Sequence, residues 1–267
     1  MAEEAGVQRG AAAAASYQRP GLRSIAPSLV VRDAAGLIDF LKAAFGGVEQ
    51  LRVPAEDGSI VYAVVAIGNG AVEVGEARET YPGAAAAVHL YVNDADIVYA
   101  KALEAGAIAV TLVEDQPWGD RQGTVKDRFG NRWYVSKAGS WADEMESVSS
   151  VQPFLHVLEA DGLIAFAEAA FGAESSGLAR SPEGLVLHAT LHIGDATFEV
   201  DDSAAGNEPT ACYLHIYVPD TDASFEAALR AGAEPVDAPA DKPYGDRSAA
   251  VMDRWGNCWF VSTYLSL

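Results

Sequence analysis

The chemistry available to this chain is concentrated in five histidines, His89, His156, His188, His192 and His215, and in two glutamates on apolar strand-like runs, Glu73 and Glu199. An imidazole can bind a metal as the neutral ring, carry a proton near neutral pH, or simply hydrogen-bond. A carboxylate facing it can serve as its proton partner or as a fellow ligand. His188 and His192 sit four residues apart on one extended run, which places them ~13 Å apart, too far to share one ion directly. Around these groups are aromatics suited to gripping an organic ring: Tyr62, Tyr91, Tyr134, Tyr213, Tyr217 and Phe260 on the runs, with Trp118 and Tyr244 in loops. The sequence holds no Gly-x-Ser-x-Gly, phosphate loop or Cys-x-x-Cys. Gly68-x-Gly70 joins two strand-like runs with no helix after it, so it is a turn and not a dinucleotide loop.

What positions these residues is an internal repeat. Ser24 to Lys137 aligns without a gap on Ser150 to Thr263 at a constant offset of 126 residues. Ala43-Ala44-Phe45-Gly46 meets Ala169-Ala170-Phe171-Gly172, and His89-Leu90-Tyr91-Val92 meets His215-Ile216-Tyr217-Val218. Pro117, Gly119, Asp120 and Arg121 meet Pro243, Gly245, Asp246 and Arg247, while Asp127, Arg128, Gly130, Asn131 and Trp133 meet Asp253, Arg254, Gly256, Asn257 and Trp259. The expected organisation is an N-terminal arm over 1–23 that packs loosely, a domain over 24–137, an acidic linker over 138–149 and a second domain over 150–267.

Each repeat divides again into two modules of strand, helix and three strands. Leu37, Ile38, Leu41 and Phe45 share one helical face, and Gly46-Gly47 stop that helix. In the strands, residues two apart share a face. Leu29, Val31, Val61, Ala63, Val65, Val88, Leu90, Val92, Trp133 and Val135 form the apolar side that packs on helices. The opposite side then carries Val30, Tyr62, Val64, Ala66, Glu73, His89, Tyr91 and Tyr134 in the first repeat. In the second it carries His156, His188, Thr190, His192, Glu199, Tyr213, His215, Tyr217 and Phe260, so that four of the five histidines fall on one repeat's cleft face. Pairing of modules within a repeat and exchange between repeats remain equally open.

Four such modules, with Phe45-Gly46 after the first helix, His-Leu-Tyr-Val leading into Asp94, and Trp118-Gly119-Asp120-Arg121 before Asp127-Arg128-Phe129-Gly130-Asn131, resemble the vicinal oxygen chelate superfamily of glyoxalases, extradiol dioxygenases and bleomycin-resistance proteins, and within it the PhnB-like branch. The resemblance implies an α+β fold of two tandem domains, each a pair of βαβββ modules curled into a half-open barrel with helices outside and a ligand cleft inside. Many members hold a divalent ion in a His/Glu set. Carried over position by position, those ligands fall on Ala26 or Gln152, Glu73 or Glu199, Ala87 or Tyr213, and Tyr134 or Phe260, a set too poor in donors to expect a metal or any other cofactor. The expectation is a small-molecule-binding protein of the bleomycin-resistance type. The alternative is a lyase, isomerase or dioxygenase, either with a metal or with His188 or His215 as general base.

Bulk properties set limits on partners. A formal charge of −20 excludes nucleic acid, which is bound by neutralising phosphates, and is compatible with a cationic ligand. No apolar run is long enough to span a membrane, and the N-terminal alanine run lacks a basic start, so a cytoplasmic protein is expected. Cys212 and Cys258 are expected on opposite strand faces and unpaired. Two fused copies supply internally what single-domain relatives obtain by dimerising, so a monomer with an internal pseudo-dimer is expected, a homodimer being the alternative.

Overall fold

The computed structural model describes residues 17–140 and 149–265. The first sixteen residues of the expected arm and most of the expected linker lie outside the described residues. In chain order the elements are β1 (Ile25–Val31), α1 (Ala34–Phe45), β2 (Val48–Pro54), β3 (Ile60–Ile67), β4 (Gly70–Glu76), β5 (Ala87–Tyr91), α2 (Ala95–Glu104), β6 (Ile108–Asp115), β7 (Arg121–Lys126) and β8 (Arg132–Lys137). The second repeat follows with β9 (Val151–Val157), α3 (Ala160–Phe171), β10 (Glu174–Arg180), β11 (Val186–Ile193), β12 (Ala196–Asp202), β13 (Tyr213–Tyr217), α4 (Thr221–Arg230), β14 (Glu234–Asp241), β15 (Asp246–Met252) and β16 (Cys258–Tyr264).

Two eight-stranded sheets result, in the orders β14-β15-β16-β13-β1-β4-β3-β2 and β10-β11-β12-β9-β5-β8-β7-β6. Each sheet joins one module of the first repeat to one of the second. The seams are antiparallel pairs, β1 with β13, where Ala26 lies opposite His215, and β5 with β9, where His89 lies opposite Gln152. Modules are therefore exchanged between the repeats, which decides the alternative that periodicity left open.

The alternation places the core as expected. Leu29, Ala63, Val65, Val88, Leu90, Trp133 and Val135 are fully buried, and with Leu37, Ile38 and Leu41 of α1 they belong to one apolar cluster under the helices. Val61 is the exception. Register shifts in the β2–β3 ladder bring Ile60 to the core side and leave Val61 37% exposed toward the cleft, because an extra residue in one strand reverses the side that follows it. Gly46 ends α1 in the left-handed conformation at φ 67°, as the helix stop requires.

The Asp-x-x-Gly-Asn motif shared by both repeats is structural. Asp127 accepts bonds from the Asn131 amide and side chain at 2.9 Å and from Trp133 Nε1 at 3.0 Å, while Asn131 Oδ1 accepts from Ala86 N at 3.0 Å. Asp253, Asn257, Trp259 and Cys212 repeat the arrangement. The hairpin turn is thereby tied to the chain entering β5 or β13. Cys212 packs in the helix-side core and Cys258 in a cleft-side cluster, and both are free.

Residues 17–23, expected to belong to a loose arm, are packed. Leu22 is 6% exposed among Val64, Ala71 and Tyr217, and Tyr17 O accepts the Tyr264 amide at 2.9 Å. Apolar burial and backbone pairing offset the ordering cost that a free tail would avoid. Among the described residues no helix is long and apolar enough to cross a membrane.

Candidate functional site

Because modules are exchanged, each concave face combines residues of both repeats. The sheet of β1–β4 and β13–β16 carries Tyr62, Glu73, Tyr213, His215, Tyr217, Tyr244 and Phe260. The sheet of β5–β8 and β9–β12 carries His89, Tyr91, Tyr134, His156, His188, His192 and Glu199. Four histidines do gather on one face, but the fourth is His89 and not His215. Grouping by repeat misassigned these two, since β5 and β13 each pair with the first strand of the other repeat.

Both faces share one arrangement at the centre. His215 Nδ1 lies 2.5 Å from Glu73 Oε2, and its Nε2 lies 2.7 Å from Ser262 Oγ, whose hydroxyl donates to Ser248 Oγ at 2.8 Å. On the other face His89 Nδ1 lies 2.8 Å from Glu199 Oε2 and its Nε2 lies 2.7 Å from Ser136 Oγ, which donates to Gln122 Oε1 at 3.0 Å. All four members of the two His–Glu pairs are buried. Each pair spans a seam between repeats, so the carboxylate of one copy satisfies the imidazole of the other. Burial pushes Glu199 upward, but the His89 and His188 rings outweigh it and hold the carboxyl well below its usual range.

Around this shared centre the faces diverge. On the first, Ser28 and Val30 are small, and a cavity of about 320 Å³ opens between Tyr62, Glu73, Tyr81, His215, Tyr244 and Phe260. Tyr62 OH donates to Glu73 Oε1 at 2.8 Å and its ring stacks on Tyr244 at 5.5 Å, while Tyr81 meets Phe260 edge-on at 5.1 Å. Burial pushes the Tyr244 phenol up to about 12, with the neighbouring Ser248 hydroxyl opposing the shift. Arg78 and the ion pair of Lys242 with Asp237, 2.6 Å apart, complete the lining. The other end of this face is occupied by the N-terminal segment. Arg19 donates to Asp246 Oδ1 and to Tyr244 O, each at 2.7 Å, and Tyr217 OH donates to Asp246 Oδ2 at 3.2 Å. Burial pushes the Asp246 carboxyl up, opposed by His215 and Arg19.

On the second face Phe154 stands where the first has Ser28, and the space is filled by rings. Phe154 lies 4.3 Å from His156, 5.3 Å from Tyr134 and 6.3 Å from His89, measured between centroids. Tyr134 OH lies 2.9 Å from His156 Nε2, His156 Nδ1 lies 2.7 Å from Asp201 Oδ1, and Asn207 Nδ2 donates to Asp201 Oδ2 at 2.5 Å. Burial pushes Tyr134 up to about 12. His188 is half-exposed with Nε2 3.8 Å from Glu199 Oε1. Burial there opposes protonation, but the Glu199 carboxylate outweighs it and raises the imidazole. His192 turns to the sheet edge and bonds Ser176 Oγ at 2.7 Å.

The matching loops differ: Tyr244 lines the cavity, whereas Trp118 is 58% exposed. The Asp-Arg neighbours do not act together: Asp246 points inward to Arg19, while Arg247 pairs on the surface with Asp222 and Asp241. Arg121 likewise pairs with Asp96 and Asp115. A depression beside β2 is framed by Lys42, Glu49 and Arg52, which are paired with one another.

Several site residues escaped the sequence reading. Phe154, Asp201, Ser136 and Ser262 each lie two residues from a named cleft residue, so the same alternation could have found them. Arg19 lies outside the repeat and Tyr81 in a loop, where no period applies.

The four inherited ligand positions can be tested for a metal. With modules exchanged they become Ala26, Glu73, Tyr213 and Phe260 on one face, and Gln152, Glu199, Ala87 and Tyr134 on the other. Glu73 is engaged by His215 and Tyr62, and Gln152 Oε1 accepts from Thr197 Oγ1 at 2.7 Å. Among the described residues no group of three or more His, Cys, Asp or Glu is placed to hold an ion. These residues do not fit the family's metal.

The family model of the Glyoxalase/Bleomycin resistance protein/Dioxygenase superfamily matches residues 22–135. An uncharacterized protein of Mycobacterium tuberculosis (strain ATCC 25618 / H37Rv) is 40% identical over 125 residues, covering 43% of this chain and 74% of the relative. Among solved structures, glyoxalase I from Zea mays is 16% identical with a TM-score of 0.67, covering 90% of this chain and 92% of that one. A putative dioxygenase from Bacillus subtilis is 12% identical with a TM-score of 0.58, covering 88% and 83%. At these identities the structural matches speak for the fold alone.

Proposed function

The chain belongs to the glyoxalase/bleomycin resistance protein/dioxygenase superfamily, and from that premise we propose that it binds a small organic ligand in the cavity between β1–β4 and β13–β16, without the family's metal. The observation that carries this reading is the cavity itself. Ser28 leaves about 320 Å³ open among Tyr62, Tyr81, Tyr244 and Phe260, with the Glu73–His215 pair at its floor. An aromatic-walled concavity with a few fixed polar groups suits a planar organic molecule. The −20 charge of the chain favours a cation. On this reading the protein works like the PhnB-like and bleomycin-resistance types, as a monomer whose seams stand in for a dimer interface.

The catalytic alternative has weaker support. Both ring nitrogens of His89, His156 and His215 are engaged, so none of these offers a free lone pair to a substrate. His188, the other candidate base, stands on the filled face 3.8 Å from Glu199 and outside the cavity. The test is equilibrium dialysis of N-methylquinolinium, a planar cation, against the protein and its Ser28→Phe variant. Affinity should fall at least about tenfold when a phenyl ring fills the space, and equal binding sinks the cavity reading. Stoichiometric Ni, Zn, Mn or Fe in purified untagged protein would defeat the metal-free part.

A further inference from the structure

We propose that Ser248 is the ligand-orienting donor of this cavity, and that the ligand is an aromatic compound presenting an acceptor oxygen, such as an aryl ketone or a quinone. The inference rests on the reading of the cavity as a ligand site. It comes from counting hydrogens along a buried chain. The Ser262 hydroxyl has one hydrogen and gives it to Ser248 Oγ at 2.8 Å, so the 2.7 Å contact between Ser262 Oγ and His215 Nε2 is donated by the imidazole. His215 Nδ1, 2.5 Å from Glu73 Oε2, shares the remaining proton with that carboxylate. The two bonds beyond the ring therefore run in one direction, from His215 Nε2 through Ser262 to Ser248.

Ser248 is where the chain reaches the cavity. It is 4% exposed and lines the pocket beside Tyr244. Its oxygen accepts from Ser262, which leaves its own hydrogen for an acceptor on the cavity side, the Tyr244 oxygen or an oxygen of the ligand. A donor fixed by the bond it accepts from buried Ser262, beside stacked phenol rings, recognises an oxygen lying in the plane of an aromatic ring. On the opposite face, where Phe154 fills the space, the equivalent chain runs His89, Ser136, Gln122 and ends on a side-chain amide. The serine terminus belongs to the open face.

Two probes of matched shape test this: 2-acetonaphthone, an aryl ketone, and 2-ethylnaphthalene, which lacks the oxygen. Equilibrium dialysis of the full chain should show the ketone binding about five- to tenfold more tightly, the range expected of one well-placed hydrogen bond. Ser248→Ala should abolish that preference by weakening the ketone alone, and Ser248→Thr should restore it. Ser262→Ala should reduce it, since Ser262 positions the donor without touching ligand. A preference absent from the wild type, or surviving in Ser248→Ala, overturns the donor assignment. Hydrocarbon binding that is undetectable, or unchanged by Ser28→Phe, overturns the cavity reading instead, so the two failures are told apart.

Discussion

The two concave faces descend from one sequence and share one His–Glu–Ser centre, yet one is open and the other is filled. Residues that stand in matching places make the difference: Ser28 against Phe154, Val30 against His156, Tyr62 against His188, Ala66 against His192, Gly75 against Asp201, Tyr81 against Asn207. What both faces keep is the cross-seam pair, Glu73 with His215 and Glu199 with His89. Both faces keep the seam pair while the surrounding positions differ, leaving an open cavity on one side and an aromatic and imidazole core on the other. Histidine content therefore marks the closed face, and the site with room for a ligand is the histidine-poor one.

The comparison breaks most sharply if one seam pair proves dispensable. Glu73→Ala and Glu199→Ala should each cost about 3–5 kcal/mol in urea unfolding, because each strands a buried imidazole without its carboxylate. Replacing both partners of a pair by Leu should recover most of the loss, and a negligible cost for either single variant would mean that its seam does not depend on the pair. Next in size, Phe154→Ser should convert the filled face toward the open one at a cost of about 3 kcal/mol, as truncation of a buried ring leaves a void. The same variant should gain measurable uptake of 2-ethylnaphthalene. A stability loss without new uptake would show that the other rings collapse into the gap.

The smallest effect concerns pH. The His188 imidazole is raised above its ordinary 6.5 by Glu199, against the opposing effect of burial, so its favourable interaction is fully present below that value and is lost as pH rises through the folded-state value. The stability advantage of the wild type over His188→Gln should therefore be greatest in mild acid and fade toward alkaline pH. Glu199 acts in the opposite sense: its depressed carboxyl contributes above its ordinary 4.5, and that contribution is lost as pH falls through the folded value. A pH-independent difference between wild type and His188→Gln, measured by denaturant titration at several pH values, would remove His188 from the titrating set. Because its side chain is 40% exposed, the effect is screened and modest.

The chain by itself determined the duplication, the four modules, the stop of the first helix and, Val61 apart, the side on which the named core residues lie, because these follow from local period and from identities at a fixed offset. Asp94 and Gly46 stand at the helix ends where their types require, and Leu29, Val88 and Trp133 lie in the core where alternation puts them. Only the tertiary structure decided which strand edges meet. β5 and β13 read almost alike, so either could have paired within its own repeat or with the other, and no local pattern breaks that symmetry. From that one choice follow the partners of His89 and His215. The place of Arg19 follows instead from long-range packing of a segment without period, and the open volume from one serine facing where its counterpart is phenylalanine, neither of which a single strand can encode.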